Sequence, residues 1–116
     1  MSIVQTDIPM TSERCIDTIL KLTEAYPFCR SEELTVTAFG RPIRTLVLGT
    51  GPRKVIYSAA HHANEWITTP VLLKFVEELA EGIKTDGKIY GIPARTIDQY
   101  VTIHTVPMVD PDGVDL

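Results

Sequence analysis

The chain has 116 residues, 44% of them hydrophobic and 22% charged, with a formal net charge of -4. That length and apolar fraction suffice for a single domain, residues 1–116, with a modest core of its own, and they exclude a disordered chain. The acidic balance, with no basic cluster beyond Arg53-Lys54, excludes a nucleic-acid or polybasic membrane surface, and no apolar run nears the roughly 20 residues that span a bilayer.

Residues 1–10 hold Asp7 and Pro9 and lack both a basic start and an unbroken apolar stretch, so they do not read as a secretory signal and a cytoplasmic location is expected. Residues 11–26 carry apolar side chains at Ile16, Ile19, Leu20 and Tyr26, with Thr11 or Ser12 as N-cap and Pro27 as stop, which predicts an amphipathic helix. Cys15 and Cys29 have no Cys-x-x-Cys spacing and are too few for a disulfide framework; two reduced, structural thiols are expected. Residues 33–39 alternate through Leu34, Val36 and Ala38, Gly40-Arg41-Pro42 breaks the pattern, and residues 43–48 resume it, as in a β-hairpin. Beyond the turn residues 49–52, the stretch 54–60 is short, β-branched or small, and bounded by turns, which is the composition of a buried strand.

The loop His61-His62-Ala63-Asn64 leads to a second helix, residues 69–84. Thr69 is its expected N-cap and Pro70 its first helical residue, with Val71, Leu72, Phe75, Val76, Leu79, Ala80 and Ile83 on the face toward the sheet. Residues 84–88 read as a surface loop, 93–99 as a short helix, 100–109 as a second buried strand, and Asp110-Pro111-Asp112-Gly113 as a turn. His104, within that strand, is expected to be a hydrogen-bonded structural histidine. Strand, loop, helix and strand in this order give an α/β architecture.

Histidine and glutamate both bind zinc, and the ion needs side chains that converge from one side. His62 and Glu65 are three residues apart, a spacing that in a helical turn brings their side chains together; His61, four before Glu65, meets the same test, and spacing does not choose between them. The motif follows an expected strand and precedes a helix, where ligand sites of α/β sheets lie. A bare His-x-x-Glu is nevertheless commoner as a solvated turn than as a metal site.

The string HHANEWITTP, with GRPI upstream and VPMVDPDG downstream, resembles the zinc metallocarboxypeptidase family, and within it the bacterial branch that cleaves γ-D-glutamyl-diaminopimelate bonds in cell-wall peptides. The resemblance runs from about the first helix to the end of the chain. It implies a Zn2+ cofactor held by His62 and Glu65 as the first two ligands, with His61 outside the coordination sphere. It also implies the N-terminal part of a three-layer α/β/α fold. There the mixed sheet has the order 1-2-4-3: the strand at 100–109 inserts between those at 43–48 and 54–60 to make one four-stranded sheet.

In that family the third zinc ligand, the substrate-binding arginine and tyrosine and the general-base glutamate lie beyond an Asn-Pro-Asp-Gly turn. Asp110 stands here where the family has Asn, and no catalytic residue is assigned in this chain. The resemblance therefore implies a peptidase domain that is inactive by itself. Two alternatives are an acyl-amino-acid deacylase of the related zinc enzymes, which Trp66 and the ITTP helix entry fit less well, and a non-catalytic structural or binding module. A peptide is the expected substrate of the complete enzyme. The open edge of the strand at 54–60 leads to the expectation of a homo-oligomer.

Overall fold

The computed structural model describes residues 2–116. The first helix, α1 (Ser12–Ala25), opens at Thr11, whose backbone is extended and whose side-chain oxygen accepts the Arg14 N–H as an N-cap should. Its inward stripe is Cys15, Thr18, Ile19 and Leu22. The stripe is rotated from the expected one, because Leu20 is 46% exposed and Cys15 takes a core position.

A hairpin follows, β1 (Glu33–Val36) against β2 (Pro42–Arg44), and then β3 (Leu46–Gly49). The strand expected over 43–48 is thus divided at Thr45, whose backbone N–H bonds to the Glu32 carbonyl while its hydroxyl accepts the Glu32 N–H. That local exchange releases β3 to pair elsewhere. The remaining elements are β4 (Arg53–Ser58), α2 (Thr68–Thr85), β5 (Lys88–Ile89), β6 (Ile92–Pro93), α3 (Ala94–Tyr100), β7 (Val101–Val106) and α4 (Pro111–Val114).

The late strand β7 lies in the middle of a mixed sheet of order β3-β7-β4, antiparallel to β3 and parallel to β4. The insertion of the last strand between its two predecessors is the expected order, but the β1–β2 hairpin forms a separate two-stranded sheet and does not extend the first. Register places Leu48, Ile103 and Val55 side by side on one face, and Val47, His104 and Ile56 on the other. Leu48 and Ile103 enter the core with Ile19 and Leu22 of α1 and with Leu73, Val76, Leu79 and Ala80 of α2. Each fully buried leucine there contributes about 1.5–3 kcal/mol through the area it removes from water. No helix among the described residues is long and apolar enough to cross a membrane.

Five further expectations are corrected. The strand at 54–60 is not buried: β4 has β7 on one side only, and Ile56 is 74% exposed. The second helix starts at Thr68, not after an N-cap at Thr69. Turns at 65–69 lead straight into it, and Thr69 is buried with its hydroxyl bonded to the Pro107 carbonyl. Its core stripe centres on Leu73, so that Val71 faces solvent. The loop after α2 contains a small hairpin, β5–β6, turned by Tyr90 and Gly91, both at positive φ as a two-residue primed turn requires. Finally, His104 is half-buried and its Nε2 has no hydrogen-bond partner among the described residues.

Candidate metal centre

The parallel pairing of β4 with β7 carries the chain to the sheet's C-terminal edge at Ala59 and Ala60. The Ala59 carbonyl accepts the Val109 N–H at 3.0 Å and the Ala60 carbonyl the Asp110 N–H at 2.9 Å, so the two strand ends run on together beyond the ladder. Ala60 then takes the left-handed conformation, φ 52°, which costs an alanine about 1 kcal/mol and turns the chain out of the sheet. Its N–H is held by the Thr68 hydroxyl at 2.8 Å, and that hydroxyl donates to the Glu65 carbonyl at 2.8 Å. The loop 61–67 is therefore tied to the strand at one end and to α2 at the other.

Within that loop the Glu65 N–H bonds to the His62 carbonyl at 3.1 Å, closing a turn that brings the two side chains together. His62 Nδ1 lies 2.7 Å from Glu65 Oε1, with the side chains 78% and 46% exposed. His61 turns the other way and meets the Ser58 hydroxyl through Nε2 at 2.7 Å. The two histidines left open by spacing are thus distinguished by contact: His62 converges on the carboxylate and His61 does not.

The donor set suits zinc as far as it goes. An imidazole nitrogen and a carboxylate oxygen already in contact, on an accessible loop, need only separate slightly to admit a small cation. No group of three His, Cys, Asp or Glu side chains able to hold a metal occurs among the described residues.

Beneath the loop lies α4. Asp110 caps it, its Oδ1 accepting the Gly113 N–H at 3.0 Å, which is the work an asparagine would do at that position. Arg41 spans its acidic face, Nη1 to Asp112 Oδ1 at 3.1 Å and Nε to Asp115 Oδ2 at 2.7 Å. The Thr37 hydroxyl joins on Asp112 at 2.8 Å, and Ser12 donates to Asp115 through its N–H at 2.7 Å and through its hydroxyl. Burial opposes ionisation of Asp115, but the Ser12 and Arg41 donors outweigh it and hold its carboxyl below the usual range. This network was not legible as a site: GRPI and DPDG stand out in the sequence as separate strings, and nothing in either shows that Arg41 pairs with Asp112.

Comparison with known proteins gives a consistent family. The sequence profile described as zinc carboxypeptidase matches residues 16–116. The chain is 36% identical over 98 residues to gamma-D-glutamyl-L-diamino acid endopeptidase 1 of Lysinibacillus sphaericus, covering 84% of this chain and 25% of that protein. Among solved structures, a metallo-carboxypeptidase from Burkholderia cenocepacia superposes with a TM-score of 0.67 at 33% identity, over 91% of this chain and 28% of that one. Bovine thrombin-activatable fibrinolysis inhibitor, in complex with tick carboxypeptidase inhibitor, superposes with a TM-score of 0.77 at 18% identity, over 95% of this chain and 34% of that one, a likeness of fold alone. The chain spans about a quarter of the length of the curated relatives it matches.

Proposed function

Since the chain belongs to the zinc carboxypeptidase family, we propose that it supplies the first two zinc ligands, His62 and Glu65, of a peptidase site. The observation that carries this reading is the 2.7 Å contact between His62 Nδ1 and Glu65 Oε1 at the C-terminal end of a parallel strand. Bound zinc supplies Lewis-acid polarisation of a carbonyl and activation of water. Glu65, as a ligand, is not free to act as general base, and His62 with Glu65 gives two of the three protein ligands that a catalytic zinc normally has. The chain by itself therefore binds zinc weakly and does not hydrolyse peptides.

The substrate class of the complete site is peptides with γ-D-glutamyl-L-diamino acid bonds, a reading supported by the relative from Lysinibacillus sphaericus that carries that activity in its name. Hydrolysis assays with a γ-D-glutamyl-diaminopimelate peptide and with ordinary C-terminal peptide bonds test it, and no turnover by the pure chain is expected. Chelator-sensitive turnover that disappears in Glu65→Ala would overturn the inactivity. The buried, unpaired thiols of Cys15 and Cys29 suit a reducing compartment, and we place the chain in the cytoplasm.

We propose further that two copies associate along β4. The edge of β4 away from β7 has no neighbour among the described residues. Antiparallel pairing centred on Ile56 would set Ile56 against its copy, Val55 against Tyr57 and Lys54 against Ser58. Apolar then meets apolar, and no cation faces a cation. Val71 and Phe75 of α2, with Phe75 edge-on to Tyr57, would continue the shared apolar surface.

A further inference from the structure

The loop that carries His62 and Glu65 rests on α4 at one point of unusually close approach. A Cβ built on Gly113 would lie 3.0 Å from Ala63 Cβ and 2.3 Å from Asp110 Oδ2. The Asp110 carboxylate could swing aside, but 3.0 Å to Ala63 Cβ is tighter than nearly all real Cβ contacts, so a side chain at this position requires α4 or Ala63, the residue that follows His62, to shift by a few tenths of an ångström. The position of α4 is fixed from its other side by the Arg41 guanidinium, which grips Asp112 and Asp115, and by the donors from Thr37 and Ser12. Those partners come from the β1–β2 turn and from the start of α1, two elements remote in sequence from the metal loop.

We infer that Gly113 and Arg41 are positioning residues for the His62–Glu65 pair: Arg41 holds α4 in place, and the bare face of Gly113 lets Ala63 settle at the depth that turns His62 toward Glu65. The inference rests on the zinc reading of that pair. Both residues act through the loop, and neither touches the ion.

Zinc titrations of the purified chain, each at a temperature where circular dichroism shows the variant fully folded, test the inference. Gly113→Ala weakens zinc affinity by roughly tenfold, the lower end of what loss of a supporting contact costs a metal site. Adding Ala63→Gly to it removes the opposing methyl and recovers at least half of that loss, a rescue that general destabilisation would not produce. Arg41→Met, with a similar aliphatic stem and no charge, also weakens affinity, and cobalt(II) spectra of both single variants differ from that of the wild type. Wild-type affinity in Gly113→Ala, or no recovery in the double variant, overturns the positioning role while leaving the ligand assignment intact. If the wild type and His62→Ala bind zinc equally or not at all, the ligand assignment fails, and the positioning role fails with it.

Discussion

The Thr69 hydroxyl donates to the Pro107 carbonyl at 2.6 Å, with both residues fully buried. This bond ties the first turn of α2 to the chain just past β7, the two elements that flank the loop 61–67. Removing the hydroxyl leaves a buried carbonyl without its donor, which costs about 1–3 kcal/mol. Thr69→Val should therefore lower the urea midpoint with little change in slope, and Thr69→Ser should retain most of the stability. A midpoint unchanged in Thr69→Val would show that the bond contributes nothing net.

Acid should unfasten the molecule at two carboxylates. Burial opposes ionisation of Glu77, but the Ile3 N–H, the Ser2 hydroxyl and Lys74 together lower its pKa below the ordinary 4.5, and Asp115 is likewise held below 3.8. A folded-state pKa below the unfolded value means stability is fully present above those ordinary values and is lost as pH falls through them toward the folded-state values. Urea titrations at pH 7 and pH 3 should show this loss. Glu77→Gln should start less stable and lose less between the two, and equal losses would argue against its part.

Both thiols should be unreactive in the native protein. Burial pushes Cys15 up to about 12, and it pushes Cys29 to about 11 against a smaller opposing pull from Arg30. A disulfide reagent at pH 8 should label neither quickly, because the thiolate is the nucleophile and is scarce there. Denatured protein should release two equivalents at once. Rapid labelling of both under native conditions would contradict the packing described for α1.

Much of this architecture is readable from the residues. Thr11 was one of the two residues expected as N-cap, the short helix before β7 was expected from its own residues, and the passage of β7 between the strands at 43–48 and 54–60 was implied by the family resemblance. What eluded sequence reasoning was decided by tertiary neighbours. Ile56 is β-branched and apolar, yet it is exposed because it lies on the sheet face opposite the core, where no described element covers it. Thr69 looks like a cap but spends its hydroxyl on Pro107. Spacing could not separate His61 from His62, because the choice depends on Ser58, which draws His61 back toward the sheet. Arg41 and Asp112 were each visible within a family string, but their pairing depends on how the hairpin folds over α4.

The open edge of β4 should make association visible. Sedimentation at micromolar concentration should show a dimer that Ile56→Lys, setting two cations face to face across the pairing axis, converts to monomer. A wild-type monomer at that concentration would dismiss the pairing.

In the proposed site His62 and Glu65 hold one zinc ion and His61 stands outside it. Calorimetric titration of zinc into the wild type, His62→Ala and His61→Ala tests that assignment most directly. Weak binding of one ion per chain is expected in the wild type and in His61→Ala, and none in His62→Ala. Binding abolished by His61→Ala and retained in His62→Ala would contradict it.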